Sequence, residues 1–121
     1  MVKILVVDDE KNICELYKGE LGECGYDVST ANSSETALEL LKNEKFDLVI
    51  LDIRMPGMDG IEALGRILNK NDKIPVIINS AYEVYKDDFR SWLAVDYIIK
   101  SNDLTELKDK VAEVLKKRGL A

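Results

Sequence analysis

Histidine is missing altogether from this 121-residue chain. With it go the Ser-His-Asp hydrolases and the zinc hydrolases, which need an imidazole as base, nucleophile or ligand. Basic charge is also short, with 17 Lys and Arg against 23 Asp and Glu and a formal net charge of −6. A domain that neutralises nucleic-acid phosphates needs a basic face, so no direct nucleic-acid contact is expected. Long apolar runs are absent too: nothing approaches the roughly 18 residues of a membrane span. The opening MVKILVVDDE turns acidic too early for a signal peptide, so the expected location is the cytoplasm, with no membrane contact. There are only two cysteines, Cys14 and Cys24. They fall at opposite ends of one expected helix, where ten residues rise about 15 Å. A disulfide tolerates a Cα separation of only about 7 Å, so two buried free thiols are expected.

What remains fits one domain with a single hydrophobic core. Five short aliphatic runs occur at Lys3–Val7, Tyr26–Ala31, Phe46–Leu51, Ile74–Asn79 and Ala94–Ile99. Between them apolar residues recur at helical spacing: Ile13, Leu16, Tyr17, Leu21 and Cys24, then Ile61, Leu64, Ile67 and Leu68. The last segment carries the clearest stripe, Leu104, Leu107, Val111, Val114 and Leu115, with Lys and Glu on its other faces. Gly25 stands where the first helix should stop. Asn32-Ser33-Ser34-Glu35 supplies a cap oxygen followed by a Glu, the signature of a helix start. Pro75 falls near the start of a strand, where a missing N–H is tolerated. Strands alternating with helices imply right-handed βαβ units and a parallel sheet covered on both faces, and the continuously apolar runs suit that arrangement.

In open α/β sheets the ligand lies beyond the carboxyl ends of the strands. Those ends carry Asp8-Asp9-Glu10 after the first strand, Asp52 after the third, Ser80 after the fourth and Lys100 after the fifth. Each has an ordinary alternative. Asp8 or Asp9 could cap a helix, Asp52 could form the turn before Pro56-Gly57, Ser80 could cap, and Lys100 could be a solvated charge. Capping alone does not call for two adjacent aspartates and a glutamate, nor for charge at every strand end. Carboxylates held together repel, raising the pKa of at least one unless a cation is present. Hard oxygen donors without Cys or His point to Mg²⁺, which keeps waters and takes further oxygens from a phosphate. A lysine and a hydroxyl would hold the remaining phosphoryl oxygens, and a central carboxylate could attack phosphorus to form an acyl phosphate.

The motifs VVDDE, LDIRMPGMDG, Ser80-Ala81 and DYIIK, in that order over the whole chain, resemble the receiver domain of bacterial two-component response regulators. The resemblance implies a flavodoxin-like (βα)5 doubly wound parallel sheet with strand order 2-1-3-4-5, and residues 1–121 as a single receiver domain, standing alone or as the N-terminal part of a longer regulator. It implies Asp52 as phosphoacceptor, Asp9 as direct Mg²⁺ ligand and Asp8 as a ligand through metal-bound water. Asp52 itself and the backbone carbonyl of Arg54 complete the metal's protein ligands. Lys100 would neutralise the phosphoryl group, Ser80 would be the switch hydroxyl, and Tyr97 the aromatic that swings inward; on position alone Tyr97 reads equally as a half-buried strand residue. Arg54 and Tyr82 would flank the phosphoryl group and shield it from hydrolytic water. Pro56-Gly57 would force the reversal that turns the Arg54 carbonyl toward the metal, and Asp59-Gly60 would start the next helix. The implied phosphodonor is a sensor histidine kinase or a histidine phosphotransfer protein. The implied output is a downstream protein or domain engaged through the fourth helix, fifth strand and fifth helix, together with a phosphorylation-dependent homodimer.

Three departures from the family pattern stand out. Ser101 follows Lys100 where proline is usual, the segment from Ser80 to Tyr97 is shorter than usual, and Leu93-Ala94 replaces Gly-Ala before the fifth strand. That segment also holds Tyr82, Tyr85, Phe89 and Trp92, the makings of a repacked short helix or of an altered partner surface. The departures bear on the switching mechanics more than on the phosphorylation chemistry. A haloacid-dehalogenase-like phosphatase would place a second Asp where Arg54 stands and would need a cap domain. A nucleotide or flavin binder would present glycines or hydroxyls, not VVDDEKN, after the first strand. A receiver-like module that binds partners without phosphorylation is the remaining alternative, and the full acidic set argues against it. The module is therefore expected to be no enzyme beyond its own phosphoryl acceptance and dephosphorylation.

Overall fold

A computed structural model describes residues 1–52, 64–69, 73–81, 94 and 96–120. The chain runs β1 (Lys3–Val7), α1 (Lys11–Glu23), β2 (Asp27–Ala31), α2 (Ser34–Asn43), β3 (Leu48–Leu51), β4 (Val76–Ser80), β5 (Asp96–Ile99) and a C-terminal helix (Thr105–Lys117). Residues 64–69 form a further helical segment. All four strand pairings are parallel, in the order β2-β1-β3-β4-β5. The doubly wound, flavodoxin-like arrangement expected from the sequence is the one found.

Each strand of the sheet interior faces two ways. Leu5 and Val7 of β1 join one core with Val49, Leu51, Val76 and Ile78, under α2 and the 64–69 segment. Ile4 and Val6 join the other with Ile50, Ile77 and Ile98, under α1 and the C-terminal helix. Two-sided burial is why β3 and β4 are apolar almost throughout. Each fully buried Leu or Ile contributes about 2 kcal/mol relative to exposure. At the sheet edges the demand relaxes, so Asp27, Ser29 and Thr30 are tolerated in β2. Among the described residues no helix is long and apolar enough to cross a membrane.

The helix ends follow the local chemistry. Gly25, at φ 95°, closes α1: its N–H bonds to Gly22 O at 3.0 Å and that of Tyr26 to Leu21 O at 3.4 Å. This paired pattern needs a left-handed residue, which glycine supplies without steric cost. Gly119, at φ 75°, ends the C-terminal helix in the same way. Ser33 is the α2 cap, its hydroxyl accepting from Thr36 N–H at 3.1 Å. Leu107, Val111, Val114 and Leu115 form the expected buried stripe of the C-terminal helix.

Two expectations are corrected in α1. Its buried face is Cys14, Tyr17 and Leu21, and Leu16 is 46% exposed. Spacing admitted either set, and packing on the sheet chose the one that includes the thiol. Both cysteines are free, but only Cys14 is buried; Cys24, at the helix C-cap, is exposed.

Candidate functional site

Three strand ends deliver the polar cluster. The register pairs Val7 with Leu51, and the ladder runs one residue further on each side. Asp8 N–H bonds to Ala31 O at 3.0 Å, and Asp52 N–H to Val7 O at 2.9 Å. Asp8 and Asp52 therefore leave adjacent strands at the same level. Across β4 and β5, Lys100 N–H bonds to Ser80 O at 2.7 Å.

The side chains complete the convergence. Lys100 Nζ lies 2.8 Å from Asp8 Oδ2 and 3.3 Å from Asp52 Oδ2, so one ammonium bridges both acids. All three are largely withdrawn from water, with side chains 2% (Asp8), 6% (Asp52) and 16% (Lys100) exposed. Asp9 and Glu10 are exposed, and their carboxylates lie within 4.8 Å of that of Asp8. Burial pushes the Asp52 carboxyl up from 3.8 to about 6, the charge of Asp8 adds to the rise, and Lys100 opposes it. Burial alone would lower the Lys100 ammonium, but the hydrogen bond to Asp8 and the field of Asp52 outweigh it and the net direction is up. It stays charged at neutral pH.

The cluster fits a hard divalent cation. Among the described residues the donors are carboxylate oxygens, and a single ammonium bridges two buried acids beside the acidic Asp9 and Glu10, so Asp52 remains hard to ionise. A Mg²⁺ ion would supply the missing charge.

Ser80 is fully buried as the last residue of β4. Tyr97 is 3% exposed within β5 and packs into the core beside Ile78. It is buried, which corrects the half-buried reading. Arg54 and Tyr82 lie outside the described residues, as do Ile61, Pro56-Gly57, Asp59-Gly60, Tyr85, Phe89, Trp92 and Leu93.

Sequence reasoning missed a second polar pair. Asn79, immediately before Ser80, is 2% exposed and donates from Nδ2 to the Tyr17 hydroxyl at 2.7 Å, joining β4 to α1. A cavity of about 170 Å³ adjoins the pair, lined also by Ile98, Ile99, Ser101 and Leu107. The signal was present, as an amide inside the run PVIIN. A buried amide must find a partner.

A family model described as the response regulator receiver domain matches residues 4–112. The transcriptional regulatory protein ZraR of Klebsiella oxytoca is 42% identical over 117 residues, which is 94% of this chain and 26% of that protein. The regulatory protein AtoC of Escherichia coli (strain K12) is 37% identical over 121 residues, 98% of this chain and again 26% of the relative. The chain thus spans about a quarter of the length of these relatives. Among solved structures, the response regulator TrrA of Thermotoga maritima, crystallised in complex with Mg(2+)-BeF, is 48% identical with a TM-score of 0.87, covering 95% of this chain and 100% of that one. TrrA in complex with the histidine kinase ThkA matches with a TM-score of 0.85 at 48% identity, covering 95% of this chain and 99% of that one.

Proposed function

The chain belongs to the response regulator receiver domain family, and from that premise we propose a role for each residue of its acidic cluster. The module is a phosphoacceptor of a two-component system, with Mg²⁺ as cofactor. Asp52 is the acceptor. An Asp52 carboxylate oxygen attacks the phosphorus of a phosphohistidine on a kinase or phosphotransfer protein. The new O–P bond forms as the N–P bond breaks, and the departing histidine nitrogen keeps the electron pair. Asp9, Asp52 and the Arg54 carbonyl would hold the Mg²⁺, with Asp8 acting through metal-bound water, and the ion would offset charge on the phosphoryl oxygens. Lys100 pairs with a phosphoryl oxygen, Ser80 donates its hydroxyl, and Tyr97 moves with the switch.

One observation carries this reading. Asp52 is a buried carboxylate with its pKa near 6, and a lysine bridges it to a second acid at the sheet edge. A purely structural ion pair would need only one acid. Above about pH 6 Asp52 is the anion that the attack requires.

The partner is a sensor histidine kinase or histidine phosphotransfer protein, as ThkA is for TrrA. Output runs through the fourth helix, the fifth strand and the C-terminal helix of the receiver pattern, with a homodimer favoured by phosphorylation. Residues 1–121 form one receiver domain, acting in the cytoplasm and catalysing only its own phosphorylation and dephosphorylation. Arg54 and Tyr82 set the lifetime: Arg54→Asn with Tyr82→Ala speeds loss of the phosphoryl group, and an unchanged decay rate sinks that role.

The decisive experiment incubates the protein with Mg²⁺ and a small acyl phosphate or phosphoramidate and weighs it. One added phosphoryl group is expected, and none on Asp52→Ala. A wild-type chain that stays unmodified would mark a partner-binding module independent of phosphorylation.

A further inference from the structure

Asn32 follows β2 directly and precedes the cap of α2, where the sequence offers it as part of that cap. Ser33 takes that task, and the Asn32 amide turns to β1 instead. Its Nδ2 lies 3.2 Å from the carbonyl oxygen of Asp8 and 3.5 Å from Cys14 Sγ. Cys14 Sγ, on the buried face of α1, lies 3.3 Å from the same oxygen. Two donors from two elements thus converge on one carbonyl, matching its two lone pairs. The other side of Asp8 is held as well, its N–H bonded to Ala31 O at 3.0 Å.

This grip bears on the acids. The carbonyl of Asp8 belongs to the peptide plane that leads into Asp9, so fixing it fixes where the Asp9 side chain begins. Asp8, Asp9 and Glu10 hold like charges within 4.8 Å of one another, and repulsion favours a loop that turns and lets them splay. Within the loop the Asp8 carboxylate accepts from the Glu10 N–H at 2.9 Å, while the N-cap residue Glu10 makes no side-chain capping bond of its own. The thiol and the amide add a hold of a different kind, on the main chain itself rather than on a carboxylate.

We propose that Asn32 and Cys14 are positioning residues for the divalent-cation site. They hold the Asp8 carbonyl, and through it keep the Asp8 and Asp9 carboxylates at a spacing that accepts Mg²⁺. The inference rests on the metal assignment made above and adds residues that neither touch the ion nor take part in phosphoryl transfer.

Calorimetric titration of the whole chain with Mg²⁺, paired with thermal unfolding without metal, tests it. Asn32 is exposed, so Asn32→Ala should keep the fold while weakening Mg²⁺ binding about tenfold, the scale seen when partners of metal ligands are removed. Ser33→Ala removes the neighbouring cap, lowers the unfolding midpoint and leaves Mg²⁺ affinity unchanged. Cys14→Ser keeps a donor and the affinity, whereas Cys14→Ala loses affinity. A loss in Asn32→Ala smaller than about threefold, or an equal loss in Ser33→Ala, overturns the proposal. So does Cys14→Ala binding as tightly as Cys14→Ser. A wild-type chain that takes up no Mg²⁺ overturns the metal assignment together with the inference, whereas tight wild-type binding unaltered in Asn32→Ala overturns the inference alone.

Discussion

Replacing Asp52 by asparagine should make the metal-free protein more stable, and only where Asp52 would otherwise be charged. Its carboxyl is held near 6 in the fold against an ordinary 3.8. The folded chain therefore keeps this proton more tightly than the unfolded chain does. The protonated group's contribution is complete below about 3.8 and is lost as pH rises through about 6. Roughly two pKa units at about 1.4 kcal/mol each give an upper limit of about 3 kcal/mol. Water reaching the exposed Asp9 and Glu10 beside it screens the charge, leaving about 1–2 kcal/mol. Asparagine has nearly the same shape and no charge to desolvate. Urea unfolding of wild type and Asp52→Asn, followed by tryptophan fluorescence at about pH 5 and about pH 8, reads the difference directly. The variant should exceed wild type by about 1–2 kcal/mol at the higher pH, a rise of several degrees in Tm, and by about half as much at the lower, which lies between the two pKa values. Saturating Mg²⁺ should narrow the gap by stabilising wild type, since it binds the folded state. A gap equal at both pH values, or a variant less stable at the higher, would refute the claim that burial and Asp8 raise this pKa.

Three further outcomes follow from the same geometry. Lys100→Ala leaves two buried carboxylates without their ammonium; it should cost about 3 kcal/mol at neutral pH and move the Asp52 titration above its wild-type position, and an NMR titration showing no upward movement counts against the bridge. Tyr17→Phe removes the acceptor for the buried Asn79 amide and should cost about 1–2 kcal/mol; with Asn79→Val already in place the same change should be nearly neutral, and additive costs in denaturant unfolding would disprove the link. Gly25→Ala meets no atom within 4 Å, so its cost is the left-handed backbone alone, about 1–2 kcal/mol, and an unchanged unfolding midpoint would contradict the assigned helix end.

The sheet was legible because burial on two faces leaves a strand little choice but Val, Ile and Leu, as in ILVV, LVIL and VII. The acids and the lysine were legible because their types are out of place at the ends of such strands. What escaped was rotational or reciprocal. The rotation of α1 about its axis decides whether Leu16 is buried beside Tyr17 or turned to water, and spacing at three and four residues does not settle it. Asn79 could be seen as an odd amide, but its partner Tyr17 is 62 residues away and only the parallel crossover joins them. Asn32 and Ser33 are both good cap residues, and which one turns to the helix depends on where the Asp8 carbonyl points.

The bond from Lys100 N–H to Ser80 O couples two groups expected to meet the same phosphoryl oxygens from different strands. Because it joins main chains, it ties the backbone that carries the hydroxyl to the backbone that carries the ammonium. Further back along β5, Asp96 is paired to Lys110 of the C-terminal helix at 2.9 Å. The fifth strand is thus tied at both ends, to β4 by a main-chain bond beside the acids and to the C-terminal helix by an ion pair at the opposite edge of the sheet.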